Sequence, residues 1–392
     1  MAFSADLVMG IIVPTFSLFA TSLGASLALV GALTGMSGLT SIVVAVPIGV
    51  LSDQRGRKVI IVAGMALFSL SSLLYTVVPS PLWLFPVRVV GSLGLAAVFM
   101  IGVAYIGDIT TRSERGLALG LYSTAMALGF TIGPALGGLV AERYGYAASY
   151  RVAALIALIG LVVALRGLVG DRPSDTRHAQ ANTAAGKTTG FRQKLRLMVS
   201  QSDMLAASLA NLGNNIVFTT VFSFVPLYAA TLGIGEATLG TMFALRGLAS
   251  AAARIPTGLM ADRISGRILM IGGLCSAVVI MVTLALSRAP LLITVLLIAD
   301  GIAYGLFLTA GQTHVTALAA EGDRGRAMGI YTMAGSIGSA AGPVLMGIVA
   351  EWFGLAIVFP IAAVVALVAA INLWASGRRS AKSLPVPLPT EL

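Results

Sequence analysis

Along the chain, apolar residues come in continuous stretches separated by short knots of glycine, proline and charge. Twelve stretches can be cut, at about 3–23, 30–52, 59–78, 82–107, 115–140, 148–169, 204–230, 237–260, 267–287, 290–317, 325–348 and 354–376. Roughly 20 residues of α-helix cover a hydrocarbon core, so each stretch is long enough to cross a bilayer. Stretches that are apolar throughout, without period-two alternation, predict helices rather than barrel strands, because a helix satisfies its own amides inside lipid. The fold class predicted is an all-α membrane protein of twelve transmembrane helices.

The pattern also repeats. Arg115 to Gly145 aligns without a gap on Arg324 to Gly354, an offset of 209 (324 less 115), with 15 identities in 31 positions. The same offset places Leu23-Gly24 on Leu232-Gly233, and Gly49 with Asp53 on Gly258 with Asp262; one residue is inserted just before Gly266-Arg267. This predicts two pseudo-symmetric six-helix bundles, residues 1–170 and 201–376, with a central loop at 171–200 and a tail at 377–392. In a duplicated transporter the substrate site lies between the halves, near the bilayer midplane.

Hydrophobic residues are 57% of the chain, charged residues 10%, and the mean hydropathy is +0.96, which excludes a soluble domain. The net charge of +10 could suggest nucleic acid, but its distribution is a topology signal. Alternate connections and the tail hold 18 of the 25 Lys and Arg, whereas the other connections hold only Arg143, Arg151 and Arg288. By the positive-inside rule both termini and the 171–200 loop are cytoplasmic. Within that loop Phe191 to Leu197 reads as a short amphipathic helix on the anionic leaflet. Gly186-Lys187-Thr188 ends like a phosphate loop, but Ala181 stands where the earlier glycine is required and no strand precedes it. The tail, with Pro385, Pro387 and Pro389, is expected to be disordered. Cys275, alone in an apolar run, excludes an internal disulfide and reads as a packing residue. No charged region with a cleavage site is seen before the first stretch, so a removable signal peptide is not expected. Hydrolase triads, nucleotide folds and metal-spaced His/Cys/Asp/Glu clusters are lacking, so no enzyme, cofactor or metal is expected. The expected partners are a small-molecule substrate, protons and the lipid bilayer, with no nucleic acid, and the chain is expected to be a monomer.

Between the second and third stretches stands Gly49-Val50-Leu51-Ser52-Asp53-Gln54-Arg55-Gly56-Arg57-Lys58. A basic topological anchor explains Arg57 and Lys58 but not an acid and two glycines at fixed spacing. Gly49 permits close helix approach, Gly56 a tight turn, and Asp53 can pair with cations or face a helix N-terminus. This segment resembles the signature loop of the major facilitator superfamily, G-x-L-x-D-R-x-G-R-[KR], with Gln54 at the first basic position. A degenerate copy from Gly258 to Arg267, with Asp262 and Gly266, sits at the corresponding place in the second half. The resemblance spans nearly the whole chain and implies that the two bundles rock against each other. On that reading Asp53, Arg55, Arg57, Asp262 and Arg267 form a cytoplasmic latch, with Arg112 as a candidate partner of Asp53.

In the fifth stretch Gly129, Gly133, Pro134, Gly137 and Gly138 form G-x-x-x-G-P-x-x-G-G, repeated as Gly338, Gly342, Pro343 and Gly347 with Met346 in place of one glycine. Glycines four apart let helices touch backbone to backbone, and a proline bends the helix and frees a carbonyl. The motif resembles that of the family's drug and metabolite antiporters; ordinary small-residue packing is the alternative, and it leaves the Gly-Pro pair unexplained. In the fourth stretch Arg88 to Ala97 resembles R-x-x-Q-G-x-G-A-A, associated in that family with proton coupling, although Gly91 replaces the glutamine and Ser92 a glycine. Arg88 lies roughly 9 Å from the outer helix end, so snorkelling to the interface is a competing reading.

Charges inside a membrane mark substrate or proton paths. Arg246 and Asp300 each lie roughly 15 Å deep in their stretches and could pair. Tyr304, one turn on, and His314 could extend a proton route, although a single His near a helix end can equally be just hydrogen-bonded. Asn211, Asn214 and Asn215 give the seventh stretch a polar face, for substrate contact or for joining helices. Arg254 reads as a cap on the second latch. Asp6, roughly 27 Å from the outer end, reads as belonging to the inner interface.

The function expected is a secondary active transporter in the cell membrane, a bacterial inner membrane by this reading. It exports a small hydrophobic or metabolite-like molecule against protons. A uniporter or symporter for sugars or organic anions is the second reading, favoured by the intramembrane arginines, and a membrane sensor without transport is the third.

Overall fold

A computed structural model describes residues 1–111, 113–170, 202–320 and 323–382. Arg112 and the 171–200 loop, with its amphipathic stretch and Gly186-Lys187-Thr188, lie outside the described residues.

Twelve long helices form, and among the described residues there is no strand. They are α1 (Ala2–Ser22), α2 (Leu27–Arg55), α3 (Arg57–Leu74), α4 (Leu84–Ile109), α5 (Arg115–Tyr144), α6 (Tyr146–Gly167), α7 (Ser202–Thr231), α8 (Glu236–Ala261), α9 (Gly266–Leu286), α10 (Pro290–Leu318), α11 (Arg324–Phe353) and α12 (Leu355–Lys382). Eleven are long and apolar enough to cross a membrane. The exception, α8, has 26 residues but is diluted by Arg246, Arg254 and its glycines. Sharp turns join several of the helices; Gly56, at φ 92° between α2 and α3, occupies a backbone region that a side chain would strain.

Two sequence expectations need correction here. The tail does not begin at residue 377, because α12 runs on to Lys382. A helix leaving the bilayer keeps its own amides paired, and Arg378 lays its guanidinium over the Trp374 ring at 3.8 Å. Cys275 is exposed on the outer surface of the bundle rather than packed in the core.

The helices form two six-helix halves, α1–α6 and α7–α12, that meet through α2 on α11 and α5 on α8, with α1 and α7 deeply buried between them. Duplication is visible in the contacts themselves. A side chain at Gly31 would run into the Pro343 carbonyl, and one at Gly240 into the Pro134 carbonyl. Gly102 lies under the Tyr122 hydroxyl, and Gly311 under that of Tyr331. Each pair maps onto the other at the sequence offset of 209, so the two halves share one packing plan (for Gly31, 240 less 31).

Where the halves touch decides the shape. One end of the molecule carries Arg57, Arg115, Arg263 and Arg324 on its connections and is called the basic end. The close approaches between halves lie toward the opposite end: Gly38 against Ser339-Ala340, Gly347 against Leu27, Ala28 and Gly31, and Gly247 against Thr131. Among the described residues, every hydrogen bond that crosses between the halves also lies there. Toward the basic end the same helices expose Val46 and Val50, Leu117 and Leu121, Ile255 and Leu259, and Met333. The bundle is sealed at one end and cleft at the basic end.

Candidate functional site

The cleft leads to two cavities of about 280 Å³ each, at the lower edge of the size range of small-molecule sites. The first is mostly apolar, bounded by Met9, Ile12, Val13, Phe68, Phe218 and Phe222, with Arg88 and a scatter of hydroxyls. The second is polar, bounded by Asp6, Arg246, Ser250, Arg254 and Tyr304. Phe218 borders both, and a small annex behind it reaches Asn214 and Asp300.

The structure pairs Arg246 of α8 with Asp300 of α10. Nε and one terminal nitrogen of Arg246 both lie 2.7 Å from the same Asp300 carboxylate oxygen. Both residues are almost wholly buried, at 2% and 3% exposure. The backbones make this possible, because Gly301 rests against the Arg246 carbonyl with no side chain between. Phe222, Phe218 and Tyr304 surround the guanidinium at 4.7, 5.3 and 5.5 Å from their ring centres. Aromatic faces and a carboxylate together replace the hydration that Arg246 loses. Tyr304 stacks on Phe218 at 4.7 Å.

Three other charged groups fall differently from their sequence positions. Asp6 does not sit at the inner interface: it is buried, one carboxylate oxygen has no hydrogen-bond partner, and it lines the polar cavity. Arg254 does not cap the second latch but faces that same cavity, with its Nε unpartnered. Arg88 does not snorkel to the interface; it is 9% exposed, its Nε lacks a partner, and its guanidinium lies 4.0 Å over the Phe16 ring. Phe16 meets Tyr75 edge-on, Tyr75 meets Tyr150, and the first cavity lies in front. Counting along α4 missed this because it cannot show the side chains of other elements, Phe16 of α1 among them, that enclose the residue.

The helix 7 asparagines divide between the two roles. Asn211 donates to the Tyr331 carbonyl at 2.8 Å, and Asn215 accepts from Ser339 at 3.2 Å, so both tie α7 to α11. Asn214 instead reaches the annex beside the ion pair. His314 lies against Gly266, with its Nε2 unpartnered, and does not line the cavities.

At the basic end Asp53 pairs with Arg57 at 2.8 Å, and Arg57 also reaches Asp108 at 3.0 Å and the Ser52 hydroxyl at 2.9 Å. Arg267 pairs with Asp203 at 2.7 Å. Arg55 and Asp262 are exposed. Nothing lies within 4 Å of a side chain built at Gly49 or Gly258, so the close approach expected at these glycines is not made in this state. The motif glycines of α5 and α11 work on two sides. Gly129, Gly133 and Gly137 fit α5 against α1, as Gly338 and Gly342 fit α11 against α7, while Pro134 with Gly138 and Pro343 with Gly347 meet the opposite half.

One feature escaped the sequence reading. At the sealed end Glu142 of α5 accepts from the Ala237 backbone N–H at 2.8 Å, and Glu351 of α11 accepts from that of Ala28 at 3.1 Å. Each glutamate thus caps the first turn of a helix in the other half, and the two contacts are copies at the offset of 209 (351 less 142). Tyr146 adds a bond to Glu236 at 2.8 Å. Their signal was the glutamate shared by the two copies of the repeat.

Two like six-helix halves around a central cavity open at one end define a multi-pass membrane transporter. The sequence matches the Major Facilitator Superfamily over residues 1–235 and 204–391, and the chain belongs to that family. It is 26% identical to an MFS-type transporter of Methanocaldococcus jannaschii over 94% of both chains, and 28% identical to Multidrug resistance protein 1 of Bacillus subtilis over 88% of this chain and 86% of that one. Its fold is similar to that of a bacterial homologue of the human lysosomal transporter Spinster in an inward-facing, occupied conformation (TM-score 0.83, 16% identity, covering 99% and 97% of the two chains).

Proposed function

We propose that the protein exports a small hydrophobic or metabolite-like molecule from the cytoplasm in exchange for protons. The excess of basic residues on the connections at the cleft end supports a cytoplasmic position for that end and for both termini, in a bacterial inner membrane, and on this reading the state described is open inward. The observation that carries the reading is the buried Arg246–Asp300 pair at the wall of the cleft, with Arg246 lining the same cavity as Asp6, one of whose carboxylate oxygens is unpartnered. A carboxylate held by a mobile cation can give up its partner, take a proton, and return it on the other side. One elementary charge crossing the membrane contributes about 2.3 kcal/mol per 100 mV, enough for a sizeable gradient. The multidrug relative named above suits efflux.

A second reading, a uniporter or symporter for sugars or organic anions, is favoured by three arginines facing the cavities against two aspartates. Uptake into inside-out vesicles with and without a pH gradient separates them. Substrate-dependent collapse of an inside-acid gradient supports exchange with protons, whereas downhill flux indifferent to pH rejects it.

A further inference from the structure

The two halves are built on one plan, and the places where they depart from it point to the substrate. At the offset of 209, Arg246 corresponds to Ser37 and Asp300 to Gly91 (246 less 37; 300 less 91). The contacts of Gly31 and Gly240 confirm that register in space for α2 and α8, and those of Gly102 and Gly311 for α4 and α10. Where the second half fills its interior with an ion pair, the first half has a hydroxymethyl group and a bare backbone. Both Ser37 and Gly91 line the apolar cavity, so part of that cavity is the room the missing pair would have occupied.

The first half nevertheless keeps a cation there. Arg88, which corresponds to Leu297 (297 less 88), faces this room, nine-tenths buried and with its Nε unpartnered. No Asp or Glu lines the cavity, and among the described residues Arg88 has no ion-pair partner. A buried guanidinium supported only by the Phe16 face lacks the countercharge its surroundings demand. The acid nearest to being free, Asp6, borders the other cavity together with two arginines.

We propose that the apolar cavity binds an amphipathic organic anion carrying one negative charge, its acidic head on Arg88 and its apolar body against Phe218 and Phe222. A single unpaired guanidinium matches a single charge; a dianion would bring a second charge into an apolar space with nothing to meet it, and a lipophilic cation would be repelled. Rings at Phe218 and Phe222, 4.7 Å apart and inclined at 50°, offer an apolar aromatic wall to the cavity. The inference rests on the reading of the cleft as a transport site and adds the class of its substrate.

The test uses purified full-length protein and three probes of one shape: 6-phenylhexanoate, its primary amide and 6-phenylhexyltrimethylammonium. Calorimetric titration should show the carboxylate binding at least tenfold more tightly than the amide, and the ammonium not at all. Arg88→Gln should bring the carboxylate down to the affinity of the amide without changing the amide, which also shows that the variant is folded. Arg88→Lys should keep part of the preference, and Arg143→Gln, an exposed change that touches neither cavity, all of it. Preference for the ammonium, survival of the carboxylate preference in Arg88→Gln, or binding of none of the three at millimolar concentration overturns the proposal. Counterflow of the bound carboxylate in proteoliposomes is read separately. Tight, Arg88-dependent binding without counterflow would reject the transport reading and leave the anion site standing.

Discussion

Removing the paired glutamate caps should loosen the sealed end. In the double variant Glu142→Gln/Glu351→Gln each side chain keeps an acceptor oxygen but loses the charge that faces a helix N-terminus across the domain interface. Such a charge contributes about 0.3–1 kcal/mol at an exposed helix end, and the two sites are far apart, so their losses add to about 0.6–2 kcal/mol. At 1.4 kcal/mol per tenfold change, the ratio of outward-open to inward-open molecules rises by a factor of about 3 to 30. Spin labels at Ser80 and Arg288, one on the outer loops of each half, report the change after Cys275 is replaced. Their distance distribution should gain a longer component in the double variant and show a smaller gain in each single variant. An unchanged distribution, or equal effects from Glu142→Gln and from a remote exposed change such as Glu114→Gln, would refute the idea that these carboxylates hold the outer end shut.

Other expectations follow from the same geometry. Asp300→Asn leaves Arg246 buried without its partner, which should cost about 3–5 kcal/mol, and Arg246→Met added to it should restore thermal stability without restoring pH-driven accumulation; full uphill transport by Asp300→Asn would place the proton elsewhere. Gly240→Leu must collide with the Pro134 carbonyl, so a cysteine at Thr34 should become reactive to impermeant reagents from outside in that variant. Gly49→Leu meets nothing in the inward-open state and should leave substrate binding intact while stopping flux, since the inner ends must close in the other half of the cycle; normal flux in Gly49→Leu would show that they do not meet at this residue. Asp53→Asn should insert normally yet transport poorly, as judged by surface expression and flux.

The fold was readable because its signals are redundant: twelve apolar stretches, a charge asymmetry between alternate connections, and a repeat held at one offset. Arg246 and Asp300 stood out because charges in such stretches are expensive, although nothing in one dimension says that α8 and α10 touch where Gly301 removes the obstacle. Depth estimates along single helices failed at Arg88 and Asp6, since the exposure of a helix position is set by its neighbours and not by its distance from the helix end. Asp6 enters the cavity wall because α1 is enclosed between the halves, and Arg254 turns toward it from α8. The glutamate caps were hidden by their ordinariness, since an acid near a loop needs no explanation until its partner on the far half is seen.

The sealed end has a property that bears on speed. Its closest contacts are Gly31 on Pro343, Gly240 on Pro134, and Gly38 on Ser339-Ala340, backbone lying on backbone. Interlocked side chains must change rotamers, one after another, before two surfaces separate; these surfaces have little to disentangle. Separation then forfeits many weak dispersion contacts together, and re-closing needs no search for matching side-chain positions. Such a seam acts as a quick-release joint, tight when shut and low in friction when it parts. Turnover is then set by what occupies the cavity and by the few charged contacts at the rim, and substitutions that add bulk along the seam should slow the cycle in both directions, even where they leave the resting balance between states unchanged.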